Sequence, residues 1–100
     1  MGKKVIWSKQ ALEQTKAIHK YILDTSKSVS IADRVVEILF DSTQILSFQS
    51  DLFELDKFKK NNDGSYRAYT KFSYRVSYRI QNDTIRILRI RHTSRDPLEF

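Results

Sequence analysis

The sequence predicts an α+β domain in which a helix hairpin packs on one face of a small, mainly antiparallel sheet. Three observations lead there. Apolar residues recur at helical spacing between Ala11 and Leu46. β-Branched and aromatic residues fill 5–7 and recur through the chain from 66 to 92. With 100 residues, 40% of them apolar, two Gly and one Pro, the chain has room for one core and hence a single domain over 1–100.

Val5, Ile6 and Trp7 make a short first strand. Ser8 has the side chain of an N-cap, and Ala11, Leu12, Thr15, Ile18 and Ile22 follow on one helical face, leaving Lys16 and Lys20 in water. The polar residues 24–28 end that helix. Ser30-Ile31-Ala32-Asp33 has the form of a capping box, with Asp where Glu or Gln is usual. Ala32, Val35, Val36, Leu39, Thr43 and Leu46 then carry a second, longer helix to the neighbourhood of Phe48. A short break between two helices predicts an antiparallel hairpin. Residues 49–63 lose the pattern and read as loop with room for one short strand, and Asn61-Asn62-Asp63-Gly64 is a turn. Three strands follow over 66–72, 74–80 and 84–92, the last two joined tightly through Asn82-Asp83. The order is β-α-α-β-β-β.

Charge is distributed very unevenly. Seven of the eight arginines lie between Arg67 and Arg95, and from Gly64 to Arg95 the only acid is Asp83. The formal net charge of +6 therefore sits almost wholly on the predicted sheet. A guanidinium is planar, permanently charged and suited to bidentate capture of phosphate, which makes nucleic acid the first partner to consider. An arginine-rich face also serves solubility or protects a sheet edge. The chain has no cysteine, which excludes disulfides, thiolate chemistry and Cys-based zinc sites. Two isolated histidines without acids at ligand spacing make no metal site, and no cofactor motif is present. His19, beside the apolar stripe of the first helix, reads as structural. The opening apolar run is too short for a signal peptide and nothing approaches a membrane span, so a cytoplasmic location is expected.

A two-residue turn at Asn82-Asp83 fixes an expected register. Ile80 then faces Ile85, Tyr78 faces Ile87 and Val76 faces Arg89 on the side toward the helices. The other side pairs Arg79 with Arg86, Ser77 with Leu88, Arg75 with Ile90 and Ser73 with His92. In that register Arg75 and His92 share a face and reach one phosphate, whereas a one-residue slip would send alternate side chains to the opposite face. Arg79 opposite Arg86 is a like-charge pair that an anion or acidic partner would relieve.

The segment Tyr74-Arg75-Val76-Ser77-Tyr78-Arg79-Ile80 and the later Ile85-Arg86-Ile87-Leu88-Arg89-Ile90-Arg91-His92-Thr93-Ser94-Arg95-Asp96-Pro97 resemble the end of RelE/ParE superfamily toxins, the small toxins of bacterial type II toxin–antitoxin modules. Length and element order agree, so the resemblance spans the chain. It implies an antitoxin partner and one of two activities. RelE-like and YoeB-like members cut mRNA on the ribosome without metal, whereas ParE-like members inhibit DNA gyrase and cut no RNA. By resemblance to the nucleases, Glu54 is the expected general base, Arg75 the group that stabilises phosphoryl charge, and His92 the acid for the leaving 5′ oxygen. Arg67, Arg91 and Arg95, with Lys57 and Lys59, are the expected substrate-binding cations. The chain ends in Phe100 and lacks the C-terminal tyrosine of several nucleases.

Overall fold

A computed structural model describes residues 2–94, so Arg95 and the residues after it lie outside the described chain. Strand β1 (Lys4–Trp7) leads into helix α1 (Lys9–Ser26) and helix α2 (Val29–Gln44), the latter extended by a 3-10 turn over Ile45–Ser47. After a long connection come β2 (Tyr66–Lys71), β3 (Tyr74–Gln81) and β4 (Thr84–His92). The predicted element order is the observed one. The sheet runs β1-β4-β3-β2, antiparallel except where β1 lies parallel to β4.

Ser8 caps α1 as its sequence position suggests. Its Oγ accepts the Ala11 N–H at 3.0 Å and donates to the Leu88 carbonyl at 2.8 Å, so one hydroxyl ties the helix start to β4. The helix hairpin is tighter than the sequence predicts. Lys27 turns the chain in a left-handed conformation at φ 58, and Ser28, not Ser30, caps α2 by accepting the Ile31 N–H. Asp33, the expected partner in the capping box, instead meets His19 Nε2 at 2.6 Å across the two helices. That contact agrees with a structural role for His19.

Helices and sheet close on Ala11, Ile18, Leu39, Leu46, Tyr69, Val76, Tyr78, Ile85, Ile87 and Ile90, all buried. Each such branched or aromatic side chain contributes about 1.5–3 kcal/mol by leaving water, which is what presses the helix hairpin onto the sheet. From the turn up to Tyr78 the β3–β4 register is the expected one, with Arg79 opposite Arg86. Between Ser77 and Tyr78 it shifts, because Tyr78 faces Ile87 and Ser77 faces Arg89, leaving Leu88 as the extra residue of a β-bulge. The four pairings expected beyond that point are therefore corrected. Val76 faces Ile90, Ser77 faces Arg89, Arg75 faces Arg91, and Tyr74 faces His92. The physical reason is legible in β4 itself. Strict alternation through Ile87-Leu88-Arg89-Ile90 would press Arg89 onto the helices and expel Ile90. One unpaired residue keeps Ile85, Ile87 and Ile90 in the core and turns Arg86, Arg89 and Arg91 outward.

Candidate functional site on the outer face of the sheet

Three rows of side chains cross the sheet face turned away from the helices: Thr70–Arg75–Arg91, Ala68–Ser77–Arg89 and Tyr66–Arg79–Arg86. Five arginines thus share one surface. The middle row begins with two small, buried residues, Ala68 and Ser77, which form a floor between the other two.

The connection over residues 48–65 is held against the edge of β2 by specific bonds. Leu55 forms a one-residue antiparallel bridge with Arg67, flanked by the Asp56 N–H on the Tyr66 carbonyl at 2.9 Å and the Ala68 N–H on the Glu54 carbonyl at 3.2 Å. Where the sequence left room for a short strand, the structure forms this single bridge and no strand. Tyr78 donates its hydroxyl to the Ser50 carbonyl at 2.8 Å, and Phe53 stacks on Tyr69 with centroids 4.3 Å apart. Burial pushes the Tyr78 phenol up to about 12. Arg67 Nη1 donates to the Phe53 carbonyl at 2.6 Å, so this expected phosphate ligand fastens the loop. Asn62 closes the far end, donating to the Tyr66 carbonyl at 2.9 Å and accepting the Gly64 N–H at 2.9 Å.

Within that loop Asp56 is only 2% exposed. Its Oδ1 accepts from Arg75 Nη2 at 2.7 Å and from the Phe58 N–H at 3.0 Å, while Oδ2 is buried with no hydrogen-bond partner among the described residues. Arg75 also lies over the Phe58 ring, 4.7 Å from its centroid. Arg89 is held below the usual arginine range, first by burial and then by the charge of Arg91, with Asp56 acting in the opposite sense. Arg75 thus pairs with this sealed carboxylate, while Arg89 lies within its electrostatic reach and beside Arg91.

Arg79 is held on the neighbouring row. It lies 4.7 Å from the Tyr66 centroid, donates to Ser65 Oγ at 3.2 Å and stands 3.8 Å from Asp63 Oδ2. Hydrogen bonds from Ser65, and more weakly the Arg79 charge, hold the Asp63 carboxyl below its ordinary value. Asp63 supplies from within the chain part of the relief that the Arg79/Arg86 pair needs. Lys57 Nζ lies 5.2 Å from the Phe58 centroid and Lys59 Nζ 4.7 Å from the Tyr66 centroid, both at the rim of the arginine face.

The expected catalytic trio is not brought together. His92 projects toward the helices. It meets Tyr74 edge-on at 5.2 Å, its Nδ1 accepts the Ser94 N–H at 3.0 Å, and with Gln14, Ile18 and Tyr21 it lines a cleft of about 330 Å³. Arg75 points to the other side of the sheet, onto Asp56. Glu54 is exposed, and its side chain makes no hydrogen bond or ion pair among the described residues. Arg91 is on the arginine face, whereas Arg95 lies outside the described residues. Sequence reasoning missed Asp56, Phe58 and Arg89. The one signal for Asp56 was an acid between Leu55 and Lys57 just ahead of the arginine-rich segment.

A family model, that of the ParE toxin of the type II toxin–antitoxin system parDE, matches residues 5–97. Among solved structures, the chromosomal ParDE toxin–antitoxin system from P. aeruginosa superimposes with a TM-score of 0.73 at 16% identity, covering 90% of this chain and 95% of that one. The RelBE2 toxin–antitoxin complex from Mycobacterium tuberculosis gives 0.58 at 20% identity, covering 92% and 99%. No curated protein sequence matches. At these identities the structures speak for the fold, and the family model speaks for descent. The chain belongs to the ParE toxin family of type II toxin–antitoxin systems, within the RelE/ParE superfamily.

Proposed function

We propose that this toxin arrests growth by binding its target and not by cutting RNA, with DNA gyrase as the target and an antitoxin as the partner that restrains it. The observation that carries this reading is the separation of Arg75 from His92 by the thickness of the sheet. A general acid must lie within hydrogen-bond reach of the leaving oxygen while the charge-stabilising group reaches the same phosphate. Here Asp56 engages the arginine, and the imidazole faces a cleft beside α1. The match to the ParE family model supports the same branch. A cytoplasmic location goes with it, and among the described residues no helix is long and apolar enough to cross a membrane.

The competing reading, a metal-independent endoribonuclease acting on translated mRNA, draws support from the five arginines of the outer face, with Lys57 and Lys59 at its rim. One experiment separates the two. The chain is induced without antitoxin, mRNA is mapped by primer extension, and purified gyrase is assayed for supercoiling in the presence of the toxin. Loss of supercoiling with intact mRNA is the expected result. Cuts inside translated codons would replace the proposal with the nuclease, with Glu54, Arg75 and His92 as its candidate residues.

A further inference from the structure

We propose that the cleft between α1 and the end of β4 is a binding site for a small aromatic carboxylate, with Gln14 and His92 as the groups that take its oxygens. The cleft holds about 330 Å³, the lower end of the range for small-molecule sites, and it lies on the helix side of the sheet, away from the arginine face. Its walls are mainly apolar and aromatic. Ala17, Ile18 and Tyr21 come from α1 and Tyr74 from β3, and the His92 ring stands at 90° to that of Tyr74. Tyr74 is buried, whereas Tyr21 is 64% exposed, so the cleft has one ring sunk in the core and one still in water. A flat apolar body entering it would cover the exposed ring.

Two of the polar groups on the lining have their directions fixed, which makes this more than an apolar hollow. The Ile90 N–H can only donate, so the Gln14 atom 2.6 Å from it is Oε1. That bond orients the amide and leaves its Nε2 group, which makes no hydrogen bond among the described residues, as a donor at the cleft. His92 is settled in the same way. Its Nδ1 accepts the Ser94 N–H at 3.0 Å, with Ser94 Oγ 2.7 Å from the same nitrogen. Nδ1 therefore carries no proton, and the ring N–H sits on Nε2. One donor from a helix and one from a strand thus border the same cleft, and neither has an acceptor among the described residues.

The class of ligand follows from that inventory. Two donors on separate elements suit a group with two acceptor oxygens, one for each, and no acidic residue lines the cleft to repel a negative charge. A hydroxyl would leave one donor of the pair unused. The aromatic walls favour a ring attached to the carboxylate.

The test uses the purified, isotope-labelled 100-residue chain, with phenylacetate as probe and phenethyl alcohol as its neutral counterpart, and follows the backbone and side-chain amide signals by NMR. Phenylacetate should shift the signals of the cleft residues, the Gln14 side-chain amide foremost, with a dissociation constant on the order of 1 mM or tighter. The alcohol should bind about tenfold more weakly. Shifts scattered over the surface, or no shifts at about 20 mM, would overturn the site, and equal binding of acid and alcohol would overturn the carboxylate. Gln14→Glu keeps an oxygen for the Ile90 N–H and replaces the donor by a second oxygen, so it should weaken phenylacetate binding by about tenfold or more. His92→Phe keeps a ring against Tyr74 and loses the Nε2 donor, with a loss of about tenfold expected. Lys16→Gln, on the exposed side of α1, should cost less than about twofold. Losses no larger than that of Lys16→Gln in the two cleft variants would refute the assignment in favour of general charge attraction. Should Gln14→Glu fail to fold, the comparison of acid with alcohol and the His92 variant decide. The site makes no use of gyrase or RNA, so its failure and the failure of the proposed function are separable.

Discussion

Arg75 and His92 leave neighbouring strands on opposite sides of the sheet, because His92 lies directly across from Tyr74. On the proposed gyrase reading the two are not partners in one proton transfer. Glu54→Gln and His92→Ala should therefore arrest growth as fully as the parent chain when induced without antitoxin. Colony counts after induction read this directly. A loss of toxicity in both variants, with their fold intact, would restore the nuclease.

Asp56 and Arg75 make the most heavily enclosed ion pair among the described residues, with side-chain exposures of 1% and 24%. Removing the carboxylate leaves the partly buried Arg75 guanidinium without the acid it pairs with. Asp56→Ala should cost about 3 kcal/mol in urea denaturation, and adding Arg75→Met should recover part of that loss. A cost below 1 kcal/mol, on the order of an exposed pair, would mean that solvent already screens the contact.

Tyr78 gives a pH-dependent test. Its folded value of about 12 exceeds the ordinary 10.0, so the unfolded chain loses this proton first as pH rises. The contribution is complete below pH 10 and disappears as pH passes through the folded value. Tyr78→Phe should cost about 1 kcal/mol at neutral pH, through the lost bond to Ser50. Above about pH 11 the wild type should lose that lead, because a shift of this size corresponds to about 2–3 kcal/mol. Urea midpoints of both proteins across the alkaline range measure the crossing, and parallel curves would refute it.

Ser8 serves two elements with one hydroxyl. Ser8→Ala should destabilise the chain by about 1–2 kcal/mol through loss of the α1 cap and of the bond to the Leu88 carbonyl. Ser8→Asp should recover only part of this, since a carboxylate caps the helix yet cannot donate to Leu88. Thermal denaturation of the three proteins checks the order.

The helices, the three long strands and the tight turn at Asn82 were legible because each is a local pattern. Apolar residues at helical spacing locate α1 and α2, and β-branched runs locate β2 to β4. The candidate site was legible only in its composition. Its geometry turns on Leu88, and a bulge appears in no strand propensity. It shows only when Ile87, Arg89 and Ile90 are asked to satisfy one core together. Asp56 stayed hidden for a related reason. Nothing within the segment Leu55-Asp56-Lys57 says that the acid is sealed, because what seals it is a sheet that begins ten residues later. Ser28 and Asp33 differ from expectation through competition, since His19 claims Asp33 from the neighbouring helix.

The parallel pairing of β1 with β4 has a consequence for synthesis. The first strand made waits for the last, and β4 occupies an interior place in the sheet between β1 and β3. Until Thr84–His92 has emerged, Val5 and Trp7 have no strand to join, and Ser8 has no Leu88 carbonyl to grip. Contacts spanning so much of the chain form late and slowly. A ribosome making this chain therefore carries an unfinished sheet until the last of the four strands is out.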